Sequence, residues 1–117
     1  MTPYEVDKLD RMFQEKVVGS CGKCAISGSP AELAHHFILR RNKATRWYLP
    51  NGVPLTSAKH TGDTLSAHKN PTWFKEQMIL IRGQEWYEDL RNQSNKIFKG
   101  TYKQVLDYLE GRSNNYC

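Results

Sequence analysis

The chain has 117 residues, 38% apolar and 25% charged, and its 17 Lys and Arg outnumber 12 Asp and Glu for a formal charge of +5. That is enough chain for one compact domain, and the composition is too apolar for a disordered segment. No apolar run reaches membrane-spanning length, the first residues lack a signal peptide's apolar stretch, and three cysteines make no disulfide framework, so a soluble, cytoplasmic protein with no membrane partner is expected.

Thr2-Pro3-Tyr4-Glu5 reads as a helix start, with a Thr cap, Pro at the first helical position and Glu placed for a capping box. Val6, Leu9, Phe13 and Val17 follow on one helical face, and Gly19 is the expected stop. Residues 21–29, with Cys21 and Cys24 in a C-x-x-C, form a turn-rich knuckle; the terminal Cys117 is expected to fray. Residues 33–39 are extended in character and residues 40–50 are a basic loop with weak strand signal at Trp47-Tyr48-Leu49. Pro50-Asn51-Gly52 signals a turn and Val53-Pro54-Leu55-Thr56 a short strand, whose proline suits an edge.

A helix starting at Ser57 or Thr61 would carry His60 and extend toward His68. Asn70-Pro71 opens the next helix, with Trp73, Phe74, Met78 and Ile81 inward; Gly83 interrupts it, and Trp86, Tyr87 and Leu90 continue the pattern to about residue 95. Thr101-x-x-Gln104 is a second capping box, ahead of Tyr102, Val105, Leu106 and Leu109 on one face. The order of elements predicts an α+β fold.

The charge is unevenly placed. Residues 35–70 hold Arg40, Arg41, Lys43, Arg46, Lys59 and Lys69 against Asp63 alone, while both flanks are close to neutral. All four histidines lie in the same segment. A local cationic surface of this kind either attracts a polyanion, nucleic acid above all, or simply solubilises one face.

His35-His36, Asn51 and His60 form the pattern HH-x14-N-x8-H. A strand–loop–strand returns its second arm beside its first, and a helix packed across the pair would bring His60 back to the paired histidines. With CGKC ahead, RR after the histidines, and NGVPLT leading to KH, the run from Cys21 to Asn70 resembles an HNH nuclease of the ββα-metal, or His-Me finger, group. Ala67–Pro71 and the aromatic helix after it are similar to small phage or prophage HNH proteins. Where many such chains carry a second C-x-x-C, this one has Thr56 and Lys59, which cannot complete a thiolate zinc site, so Cys21 and Cys24 are expected to be packing residues.

The resemblance implies a ββα-metal core over residues 20–70, with an N-terminal helix over 1–19 and a helical extension over 71–117, in a single domain. It implies a metal-dependent endonuclease that hydrolyses phosphodiester bonds of double-stranded or branched DNA with little sequence preference. His36 would be the general base, His35 and His60 would hold one divalent cation, and Asn51 would fix the strand-connecting loop. Mg²⁺ or Mn²⁺ is the expected ion, with Zn²⁺ and Ni²⁺ as alternatives. The competing reading is a nucleic-acid-binding module whose metal site does not turn over.

Two geometric expectations follow. Neighbours on a regular strand point to opposite faces, so His35 and His36 would flank one phosphate only at a strand end, a bulge or a strong twist. His68, eight residues after His60, would stand about 12 Å away on a continuous helix; it reaches the metal or a phosphate only if Gly62 breaks that helix, and otherwise caps or packs. Arg40, Arg41 and Arg46 are candidate phosphate contacts, with Lys43, Lys59 and Lys69 adding field. Trp47 and Tyr48 are read as core residues or as platforms for an unpaired base.

Overall fold

The structure, a computed structural model, describes residues 1–112 and Tyr116; the expected fraying of Cys117 lies outside these. Among the described residues it is an α+β arrangement in which five α-helices pack around a two-stranded antiparallel sheet. None of the described helices is long and apolar enough to cross a membrane.

Helix α1 (Pro3–Cys21) starts on the expected capping box, with Thr2 Oγ1 accepting from the Glu5 amide at 3.1 Å and Glu5 Oε1 accepting from the Thr2 amide at 2.8 Å. It runs past Gly19 and ends at Gly22, whose φ of 69° is the left-handed conformation that releases the chain. Strands β1 (Leu33–His36) and β2 (Gly52–Leu55) pair in the register Leu33↔Leu55, Ala34↔Pro54, His35↔Val53 and His36↔Gly52. The loop between them is more helical than its sequence suggests: α2 (Lys43–Arg46) and a 3-10 turn (Leu49–Asn51) replace the expected strand at Trp47–Leu49. Asn42 starts α2 by accepting the Thr45 amide on its side chain at 3.2 Å.

The sheet separates two cores, and the strand period decides which residue enters which. Ala34 points toward α1 and packs with Leu9, Phe13 and Val17, together with Val105 and Leu109 of helix α5 (Tyr102–Gly111). Leu33, Val53 and Leu55 point the other way, to Phe74 and Met78 of α3 (Pro71–Arg82) and Trp86 and Leu90 of α4 (Gln84–Ser94). Gly52 lets α1 approach the sheet closely, because a Cβ there would fall on Val17 Cγ2 and lie 3.0 Å from the Phe13 ring. Gly83, at φ 98°, turns α3 into α4. The Trp86 indole N–H then donates to the Pro50 carbonyl at 2.8 Å, tying this helical hairpin to the start of β2.

Candidate functional site

His35 shares its strand face with Val53 and Leu55, which turns its ring toward α3. Its centroid lies 5.1 Å from that of His60, 5.1 Å from that of His68 and 5.3 Å from that of Phe74. His60 arrives by a route different from the expected α-helix. After β2 the Thr56 hydroxyl accepts the Lys59 amide at 3.2 Å, and residues Ala58–Gly62 form a single π-helical turn. Asp63 is extended (φ −81°, ψ 158°), so the helix ends at Gly62.

The chain then doubles back on that turn. The Ala67 amide donates to the Lys59 carbonyl at 2.8 Å and the His68 amide to the His60 carbonyl at 3.0 Å. These bonds bring His68 Nε2 to 2.9 Å from His60 Nε2. The break at Gly62 thus replaces the long separation of a continuous helix with contact.

One ligand nitrogen from each of His35, His60 and His68 can be chosen so that all three lie within 4.8 Å of one another, close enough to bind a metal ion. Two nitrogens bound to one ion at about 2.0–2.1 Å stand roughly 2.9–3.4 Å apart for angles from 90° to tetrahedral, and the His60–His68 separation of 2.9 Å fits that range. Two of the donors, His35 and His60, are held toward the neutral form. Burial, reinforced by the neighbouring imidazoles of His60, His68 and His36, pushes His35 down to about 3. Burial and then His68 hold His60 below its ordinary value. Neutral imidazole is the form that ligates.

His36 faces the opposite side of the strand, as a regular β1 requires, and lies outside the three-imidazole cluster. Its ring stacks on Phe13 of α1, with centroids 4.7 Å apart and planes inclined by 16°. Its Nε2 lies 3.0 Å from the Arg46 carbonyl oxygen. A carbonyl only accepts, so Nε2 carries the proton and Nδ1 of the neutral ring carries the basic lone pair. Burial keeps His36 below the usual histidine range, a tendency that the Arg46 carbonyl and the charge of Asp10 oppose in that order.

Two groups anchor the residues around that carbonyl. Asn51, fully buried, accepts the Ile38 amide on Oδ1 at 2.7 Å and donates from Nδ2 to the carbonyls of Ile38 at 3.1 Å and Thr45 at 3.2 Å. It therefore ties the exit of β1 to the last turn of α2. Asp10 of α1 accepts from Arg46 Nε at 3.0 Å, Arg46 Nη2 at 2.7 Å and the Trp47 indole N–H at 2.9 Å. Burial raises the Asp10 carboxyl, but the bonds from Arg46 and Trp47 outweigh it and hold the group below its ordinary value. Asp10 and Phe13 carry no motif signal; only their position on the apolar edge of α1 hints at a place near the sheet.

The six cations differ in how they are held. Arg40, Arg41 and Lys43 are exposed on the loop. Arg46 is committed to Asp10, which puts its side chain in structural service. Lys59 pairs with Asp63 at 3.1 Å, and Lys69 donates to the Gly62 carbonyl at 3.0 Å, so both brace the turn that carries His60. Trp47 is buried in the first core, and the Tyr48 hydroxyl donates to Asp89 at 2.7 Å. Cys24 is buried with its sulfur near the Ser27 amide (3.4 Å) and the Thr56 hydroxyl (3.9 Å), and the Cys21 sulfur lies 3.6 Å from the Tyr116 carbonyl oxygen.

His35, His36 and His68 line one cleft of about 410 Å³, with Lys75, Tyr87 and Arg91 also on its walls. His36 in addition lines a second hollow of about 320 Å³ with Asp10, Gln14 and Arg40. His36 thus borders both spaces. No family model matches the chain, and no curated protein or solved structure does so.

Proposed function

We propose that the chain is a metal-dependent endonuclease with a ββα-metal core made of β1, β2 and the residues from Ala58 onward, acting on the DNA phosphodiester backbone. The observation that carries this reading is the convergence of His35, His60 and His68 on one ion-sized gap, next to a histidine whose Nε2 is engaged by a backbone carbonyl.

A divalent ion held by the three imidazoles would stabilise negative charge on the phosphate as a Lewis acid. His36 accepts the proton of the attacking water on Nδ1, which its Nε2 bond leaves basic. Asn51, through the Thr45 carbonyl, and Asp10, through the Arg46 side chain, anchor the segment whose Arg46 carbonyl engages that ring. Arg40, Arg41 and Lys43 attract the backbone without reading base edges, which suits low sequence preference. A donor set of three neutral imidazoles with no carboxylate favours Zn²⁺, Ni²⁺ or Mn²⁺ over Mg²⁺.

The second reading is a nucleic-acid-binding module with a metal that does not turn over. It draws support from the placement of His36 on the other strand face from the three-histidine cluster. Incubation with supercoiled plasmid and each of Mg²⁺, Mn²⁺, Ni²⁺ and Zn²⁺, with EDTA and His36→Ala controls, separates the two. Nicking that needs both the ion and His36 supports the nuclease; DNA binding without nicking under any ion supports the module.

A further inference from the structure

Lys75 of α3 and Arg91 of α4 stand on the wall of the cleft that also contains His35, His36 and His68. They come from distant points of the sequence and meet because Gly83 folds the two helices against each other. Both approach Tyr87: Lys75 Nζ is 4.8 Å from its ring centroid and the Arg91 guanidinium carbon 5.9 Å. Both cations are exposed, and neither forms an ion pair with a carboxylate among the described residues. Asp89, on the same helix, is engaged by the Tyr48 hydroxyl.

Two like charges gathered on one aromatic ring repel each other, and a bridging anion would relieve that repulsion. Their shared effect is visible on Tyr87, whose phenol is drawn below its ordinary pKa by Lys75 first and then by Arg91. The three side chains present two donors for phosphate oxygens and a flat ring for a sugar or base, beside the histidines.

We infer that Lys75, Tyr87 and Arg91 form a second phosphate subsite, which grips the DNA strand next to the phosphate at the histidines. This rests on the nuclease reading above and extends it to the helical hairpin, outside the segment with the cationic excess. The subsite adds backbone affinity and sets the direction in which the strand crosses the cleft.

The test is fluorescence anisotropy of the full chain with a labelled DNA duplex in EDTA, as a function of NaCl, for wild type, Lys75→Gln/Arg91→Gln and Lys75→Arg/Arg91→Lys. Removing the two charges is expected to lower the slope of log affinity against log salt by about two, and the charge-preserving pair restores it. Co²⁺ binding by the histidines stays unchanged in all three proteins. An unchanged slope in the Gln variant, alongside a wild type that binds and nicks DNA, overturns the subsite alone. A wild type that neither binds DNA nor nicks plasmid overturns the subsite together with the nuclease reading.

Discussion

His36 Nε2 lies 3.0 Å from the carbonyl oxygen of Arg46, ten residues further along the chain. That bond selects the tautomer: the proton sits on Nε2 and the lone pair on Nδ1. The segment around that carbonyl is anchored by groups on two other elements: Asp10 of α1 binds the Arg46 side chain, and Asn51 before β2 binds the neighbouring Thr45 carbonyl. The orientation of one imidazole therefore depends on packing that begins near the N-terminus.

As the proposed general base, His36 should titrate accordingly. Burial lowers the His36 pKa, so its neutral, proton-accepting form is present at neutral pH and is lost only as pH falls below the ordinary histidine range. Cleavage rate at saturating metal should rise with pH through an inflection below about 6.5 and then level off. His36→Ala should reduce turnover by about 10²–10⁴-fold while DNA affinity persists. A pH–rate profile beside a binding isotherm checks both.

Asp10→Ala removes an acceptor of three hydrogen bonds, two of them from a guanidinium that is largely shielded from water. The expected cost is about 2 kcal/mol in urea unfolding at pH 7. The folded-state pKa is depressed, so the stabilisation by Asp10 is complete above the unfolded value and disappears as pH falls through the folded value. Turnover should drop as well, and ¹⁵N NMR of His36 should show mixed tautomers in the variant and a single Nε2–H form in the wild type.

Asn51→Ala leaves the Ile38 amide and the Ile38 and Thr45 carbonyls without their side-chain partner in a fully buried site. A loss of about 3 kcal/mol or more is expected, with looser protection of the Ile38 amide. Hydrogen exchange of that amide, compared with those of α5, measures the local part of the effect.

The three-histidine cluster makes the metal-free protein sensitive to acid. His35 is held at about 3 by burial and by its neighbours, far below its unfolded value, so the unfolded chain binds the extra proton first. Stability is complete above about pH 6.5 and falls as pH drops from there toward 3. Melting curves in EDTA between pH 7.5 and 4.5 should show this decline, and a phenylalanine at position 35 should flatten it. At pH 7, Zn²⁺ or Ni²⁺ at a hundredfold excess over its dissociation constant should add about 2.7 kcal/mol.

Local signals carried much of the fold. The two Thr capping boxes, Asn70-Pro71 and Gly83 mark helix boundaries where they occur, because each acts through bonds within a few residues. The reach of α1 to Cys21 and the short α2 turn were not legible: Gly19 reads as a stop, but the left-handed residue that ends α1 is Gly22, and Asn42 does not announce its cap on a turn of four residues. The spacing of the histidines pointed to a meeting of His35 and His60, which the cluster shows, while Asn51 from the same pattern lies apart, bonded to Ile38 and Thr45. The meeting of His68 with His60 depended on two backbone hydrogen bonds across a π turn, which no periodicity reveals. Asp10, Lys75 and Arg91 were silent for a similar reason, as their relation to the site is purely tertiary.

The most direct measurement is a Co²⁺ titration of the full chain at pH 7, followed by visible absorption, with His35→Ala, His60→Ala and His68→Ala in parallel. One ion per chain, with nitrogen-ligand bands that weaken or disappear in each variant, is the predicted result. Absence of binding by the wild type, or binding that all three variants retain unchanged, would contradict the shared metal site.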